Sequence, residues 1–272
     1  MQHHDITSGF QQVTQRSSEQ FFLDFLDRAD TLAFVKAAQG HMRALLNIQT
    51  GQRILDVGCG LGHEAQRIAR LVGPGGAVVG VDKSEALVTE AQRRSELLDL
   101  PLAFETGDAL ALDFANDTFD HCRMERVLMF LADASQAIAE MARVVRPGGR
   151  IALFEFDLDA FMINGADKWL TRRIVHLFAD SMPNGQLGRR LPALLREAGL
   201  TEVTSVPLLC EHPFVHFQGV FAGSVSKAVA AGDLTQAEAD AWWEDLNNAM
   251  TASSFYAAMP GFVVAAKKQS PS

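Results

Sequence analysis

The 272-residue sequence predicts an α/β fold in which a mostly parallel sheet carries helices on both faces. Three observations support it. Short apolar runs alternate with segments of helical periodicity from about residue 53 to 156, and the runs are apolar nearly throughout, as strands buried on both sides must be. The first run, Ile54-Leu55-Asp56-Val57, feeds straight into the turn Gly58-Cys59-Gly60-Leu61-Gly62. Three carboxylates, Asp56, Asp82 and Asp108, stand at or just past the ends of three successive strands.

Before the sheet, residues 1–17 are polar and read as a mobile leader. Phe21, Phe22, Phe25 and Leu26 then recur at helical spacing, and a second apolar helix covers about 31–47, so residues 1–50 form an N-terminal helical cover. The core of 51–156 follows. Strand 1 takes 53–57, and a helix over 63–72 turns Ala65, Ile68, Ala69 and Val72 inward. Pro74-Gly75-Gly76 makes a turn into strand 2 at 77–81. Ser84 caps a helix with Leu87, Val88, Ala91 and Leu98 on its buried face, and strand 3 spans 102–106. After the Asn116-Asp117 turn come strand 4 at 119–123 and a helix at 134–146, with Arg143 and Arg146 complementing its C-terminal dipole. Pro147-Gly148-Gly149 ends that helix and strand 5 takes 150–156.

Residues 157–272 form a second half with helical insertions at 157–182 and 218–253. It holds a helix at 187–198, strands at 202–211 and 261–267, and a Thr235-x-x-Glu238 capping box before Trp242-Trp243. No linker or repeat divides the chain, which reads as one domain of residues 1–272.

Net charge of −9 and a pI near 5.3 argue against a nucleic-acid-binding surface and favour a small organic partner. No apolar run approaches the roughly 18 residues of a membrane span, and the start of the chain lacks a basic-then-apolar leader. Cys59, Cys122 and Cys210 are isolated and odd in number, which suits reduced thiols in a cytoplasmic protein. Oligomeric state has no signature in the sequence.

The Asp-x-Gly-x-Gly-x-Gly turn, Asp82 and Asp108 together resemble the class I S-adenosylmethionine-dependent methyltransferases, closely over about 50–156. Within that class the chain looks like the ubiquinone/menaquinone-biosynthesis type acting on small molecules. The resemblance implies a Rossmann-like sheet of seven strands, the last returning antiparallel between strands 5 and 6. It implies S-adenosyl-L-methionine as cofactor and S-adenosyl-L-homocysteine as product. Glycine at 58, 60 and 62 tolerates positive φ and lets backbone approach a ligand, with Cys59 between, and the following helix N-terminus suits a carboxylate. By the resemblance, Asp56 orients the methionine ammonium or its loop, Asp82 takes the ribose hydroxyls, and Asp108 with the Ala109 amide takes the adenine. Lys83 is either a solvated side chain or a wall beside the nucleoside.

The substrate-facing loop should be the segment after strand 4, with Arg126, Met129 and Phe130 as acceptor contacts, joined by Asp157 just beyond strand 5. Arg123 and Arg126 either hold an anion or simply pair with Glu125. Many relatives carry a histidine near the place of Phe130, so no base is assigned from this loop. His176 and Asp157 are the remaining catalytic candidates, with Asp157 and Asp159 otherwise read as a solvated turn after strand 5. His121, inside strand 4, reads as a hydrogen-bonded core residue.

No metal site is expected. His212 and His216 have i, i+4 spacing, but Pro213 argues against a helix there, and in extended chain they would stand about 13 Å apart. Phe214, Phe217, Phe221 and Trp242-Trp243 read as helix core rather than pocket wall. The alternatives kept open are a nicotinamide-dinucleotide oxidoreductase, which the glycine spacing opposes, and a protein that binds S-adenosylmethionine without transferring methyl groups.

Overall fold

The computed structural model describes residues 16–270. The expectation of a mobile leader over 1–17 therefore falls almost wholly outside the described residues. Among the described residues, the helices α1 (Arg16–Thr31) and α2 (Ala33–Leu46) precede β1 (Arg53–Val57), α3 (His63–Val72), β2 (Ala77–Asp82), α4 (Glu85–Ser95), β3 (Leu102–Thr106) and β4 (Phe119–Glu125). Then come α5 (Ala134–Val144), β5 (Val145–Phe156), β6 (Met162–Ile163), α6 (Lys168–Asp180), α7 (Leu187–Glu197), β7 (Thr201–Glu211), α8 (Phe214–Ala231), α9 (Gln236–Thr251) and β8 (Ala257–Lys267).

One sheet runs β3-β2-β1-β4-β5-β8, parallel from β3 to β5 and antiparallel at β8, with β7 on the far edge of β8. The last strand thus lies between β5 and β7, as the resemblance implied. The sheet has eight strands rather than seven. The extra one, β6, pairs with Ala257 and Ala258 and prolongs the β5 side of β8 beyond a single 3-10 turn at Leu158–Ala160.

Alternation along each strand sends neighbours to opposite faces. Ile54 packs with Ile68 and Val72 of α3, whereas Leu55 packs with Ile138 and Met141 of α5. In β5, Phe154 faces Val35, Ala38 and Met42 of α2, and Leu153 faces Leu191 and Leu195 of α7. The aromatic cluster of Phe217, Phe221 and Trp242 is core, and Trp242 donates its indole N–H to Thr171 Oγ1 at 3.1 Å.

Local signals set most boundaries. Ser84 accepts from the Leu87 amide, and Thr235 and Glu238 form both halves of their capping box. Several boundaries differ from expectation, β4 running on to Glu125 and β8 beginning at Ala257 rather than about 261. Helix α5 ends at Val144 and the strand begins at Val145, so Arg146 belongs to β5 and pairs with Asp120 instead of lying in the last helical turn. Helix α4 ends at Ser95, leaving Leu98 half-buried in the following turn. The late insertions are also more regular than expected, since 157–182 contains β6 and α6, and α8 starts at Phe214 rather than 218.

Candidate active site

A cavity of about 540 Å³ opens at the C-terminal ends of β1, β2 and β4, where open α/β sheets receive ligands. It lies within the roughly 300–1,000 Å³ typical of small-molecule pockets.

One end is built by the turn after β1. Gly58, Gly60 and Gly62 all take positive φ, of 71°, 52° and 75°. A side chain at Gly58 would collide with Val127, and one at Gly62 with the ring of Phe104. Two of the glycines are thus demanded by packing inside the protein as well as by conformation. Asp82 fixes the turn from the neighbouring strand. Its Oδ2 accepts from the Gly60 amide and its Oδ1 from the Ser84 amide, each at 2.9 Å. Burial pushes the Asp82 carboxyl above its ordinary range, against the pull of the Ser84, Gly60 and Lys83 amides.

Asp108 Oδ1 accepts from the Leu110 amide, and its Oδ2 from Lys83 Nζ, both at 3.0 Å. That amide, followed by Lys83, lowers its pKa. Asp82, Lys83, Asp108 and Ala109 all line the cavity. Asp56 does not. It is 1% exposed, and its Oδ1 accepts from Arg123 Nη1 at 2.6 Å.

Arg123 lies between Asp56 and Glu125, and its other nitrogen, Nη2, donates to Glu125 Oε2. Burial opposes its charge, but Asp56 and Glu125 outweigh that and hold the guanidinium above its ordinary pKa. Glu125 also takes Arg126, at 2.9 Å, and Gln39 of α2, at 3.2 Å. The arginine–glutamate pairing therefore exists, while both arginines also reach the cavity wall.

Met129 and Phe130 line the other end, with Phe156, Phe178, Met182 and Met259. Neither catalytic candidate from the sequence reaches this space. His176 lies on the outer side of α6, 61% exposed, 3.8 Å from Asp159. Asp157 is not in a solvated turn: it is 3% exposed and held by a two-pronged contact from Arg189, whose Nη2 donates to Oδ1 at 2.7 Å. His121 is a core residue, its Nδ1 accepting from the Arg150 amide at 3.0 Å, and burial lowers its pKa to about 4.

Two further groups line the cavity, one on the N-terminal helices expected as a cover and one a histidine pair that the sequence did not point to as part of the site. Phe25, Leu26, Asp30 and Gln39 bring the N-terminal helices over the glycine turn. His212 and His216 also line it, His216 against Phe25 and His212 near Phe156, and their separation corrects the earlier expectation: the rings stack with centroids 5.3 Å apart. Pro213 is the residue immediately before α8, where a missing N–H costs nothing, so it starts a helix instead of preventing one. The i, i+4 spacing was the available signal.

Residues 48–199 match the family described as Methyltransferase domain, more than half of the chain. The chain belongs to that family. It is a class I methyltransferase, with S-adenosyl-L-methionine as methyl donor, which decides against the nicotinamide alternative. An uncharacterized 37.1 kDa protein in transposon TN4556 of Streptomyces fradiae is 32% identical over 90% of this chain and 71% of its own length. The 2-phytyl-1,4-naphtoquinone methyltransferase of Synechocystis is 35% identical over 53% of this chain and 64% of its own. The methyltransferase GfsG of Streptomyces halstedii is 32% identical over 59% and 58%. The chain thus spans under two thirds of these last two relatives. Among solved structures, the YcgJ protein of Bacillus subtilis shares the fold at a TM-score of 0.63 and 17% identity, over 87% of this chain and all of that one.

The residues present fit the donor. A half-buried acid at the end of β2, an acid and Ala109 after β3, and Gly58 and Gly60 of the positive-φ turn entering α3 all line one cavity, whereas Gly62 packs on Phe104 instead. No helix among the described residues is long and apolar enough to cross a membrane.

Proposed function

We propose that this methyltransferase acts on a small, largely apolar metabolite or natural product, of the kind its quinone-methylating relatives handle. The single observation that supports it most is the continuity of the cavity. The glycine turn and acids at one end share it with Phe156, Phe178, Met182 and Met259 at the other. The N-terminal helices and α8 contribute to its wall, which favours an enclosed acceptor over a macromolecular one. The net charge of −9 is in keeping with that. Three free thiols agree with work in the cytoplasm.

The bound donor supplies a methyl group already activated by its sulfonium charge, so the protein's task is alignment and exclusion of water. In this reading Asp82 and Asp108 hold the nucleoside, and the Gly58–Gly62 turn admits the amino-acid part. Arg123, fixed by Asp56 and Glu125, gives the floor a rigid positive group, while Leu26 and Phe25 cover the turn from above.

Calorimetry with S-adenosyl-L-homocysteine and with NAD tests the reading. Binding of the former alone is expected, accompanied by a rise in melting temperature, because a ligand of the folded state adds RT ln(1 + [L]/Kd). No binding at millimolar concentration would refute it.

A further inference from the structure

His212 and His216 stand apart from every other polar group of the cavity. His212 is 3% exposed and His216 9%, and both line the cavity wall. Neither ring nitrogen of His212 has a hydrogen-bond partner, nor has Nδ1 of His216. A core histidine in this same chain behaves differently, since His121 is satisfied by a backbone amide. A buried polar group left unpaired is costly, so three unpaired nitrogens at one spot need an explanation.

Their surroundings are flat and apolar. The His212 ring lies 5.0 Å from Phe34, 5.2 Å from Phe161 and 6.0 Å from Phe156, and His216 stacks on Phe25 at 5.0 Å. Burial, reinforced by the charge of His216 and then Arg126, lowers the pKa of His212 to about 3, and burial with Arg126 and Arg28 lowers that of His216 to about 4. Both rings are therefore neutral near pH 7, and a neutral imidazole has one donor and one acceptor nitrogen. No group of three or more metal-ligating side chains forms among the described residues. Both histidines lie beyond residues 48–199, the part matched by the family model.

We propose that His212 and His216 form the specificity element of the acceptor end, a polar clasp in an aromatic wall that recognises a flat acceptor by a hydroxyl or carbonyl on its edge. The inference rests on the reading of this cavity as a methyltransferase site. A ring lying along the phenylalanines presents its edge to the imidazoles, which donate to a carbonyl oxygen or accept from a hydroxyl. An all-hydrocarbon ring of equal size would fill the same space and leave the nitrogens unpaired, which is how a polar site rejects an analogue lacking its partner group.

The probes are 1-naphthol and 1-methylnaphthalene, of nearly equal size, titrated with and without S-adenosyl-L-homocysteine. Wild-type protein should prefer the naphthol by about tenfold, the size of one well-formed hydrogen bond. Saturation with it should shift the side-chain 15N resonances of two of the eight histidines. The double variant H212F/H216F keeps two rings and their stack but loses the nitrogens. It should bind both probes within about twofold of each other, with affinity for S-adenosyl-L-homocysteine unchanged. A naphthol preference that survives in the double variant, its absence in wild type, or imidazole signals that do not move would each overturn the proposal. Failure to bind S-adenosyl-L-homocysteine would instead overturn the methyltransferase reading, while the naphthol titration without it still decides the role of the histidines.

Discussion

Arg94 of α4 holds Asp27 of α1 by two nearly parallel contacts, Nη1 to Oδ1 at 2.6 Å and Nη2 to Oδ2 at 3.0 Å. Beside it His63, the first residue of α3, approaches the same carboxylate at 2.9 Å, and Arg67 holds Asp30 one turn further along α1. The N-terminal helix that brings Phe25 and Leu26 to the cavity is thus fastened by charge to the helices following β1 and β2.

Asp27→Ala should release this fastening at small cost to the fold. Because the carboxylate is 40% exposed, the loss of stability is expected to be only about 0.5–1 kcal/mol. Limited proteolysis within α1 should nevertheless accelerate, and turnover of an identified acceptor should fall more than cofactor affinity does. Unchanged turnover would show that the helix covers the site without serving it.

Arg123→Met should be far more damaging. It leaves Asp56, 1% exposed, with no partner, and deprives Glu125 of one of its two arginines. Breaking a buried pair this way costs roughly 3–5 kcal/mol. The lower end applies here, because burial already raises Asp56 to about 6 and it can take up a proton. Urea denaturation of the two proteins measures it, and a difference under 1 kcal/mol would mean that water reaches the pair.

Glu155 makes stability depend on pH. It is 1% exposed, and its Oε1 accepts the amides of Val127 and Leu128 at 2.8 and 2.7 Å while Oε2 has no partner. Burial outweighs those amides and raises its pKa to about 8 from 4.5. The folded form therefore holds a proton that the unfolded chain releases. Its contribution is complete below pH 4.5 and is lost as pH rises through 8. Glu155→Gln keeps the acceptor oxygen and cannot ionise, so its stability should not show this decline. Parallel stability curves for the two proteins between pH 5 and 8.5 would contradict the assignment.

Asp82→Ala should weaken binding of S-adenosyl-L-homocysteine by about 1.5–3 kcal/mol, the range for hydrogen bonds to a charged group. Since Asp82 also holds the Gly60 amide, Asp82→Asn separates the two effects: one amide oxygen can still accept from Gly60 while the charge is gone. Calorimetry should rank wild type first, then Asn, then Ala, with far-ultraviolet circular dichroism unchanged. An alanine variant that binds like wild type would leave Asp82 a structural role only.

What the sequence determined by itself was the succession of strands and helices through β5 and the glycine turn and acids at the strand ends. Ile54–Val57, the three glycines, Asp82 and Asp108 are local signals: a strand's period, a positive φ, and a carboxylate at a strand end are all set by a few adjacent residues. Boundaries without a strong stop were less legible, as at Val145, where the strand begins two residues before Pro147. Only the tertiary structure decided which acids face the cavity and which are spent on internal pairs. Asp56 and Asp157 read as site residues, yet Arg123 and Arg189, 67 and 32 residues away in the chain, turn them inward. The acceptor end depends wholly on such distant neighbours. His212 and His216 meet because Pro213 begins a helix, and they stay neutral because rings from α1, α2 and β5 exclude water from them. Desolvation is a property of the assembled fold, and no spacing along the chain encodes it.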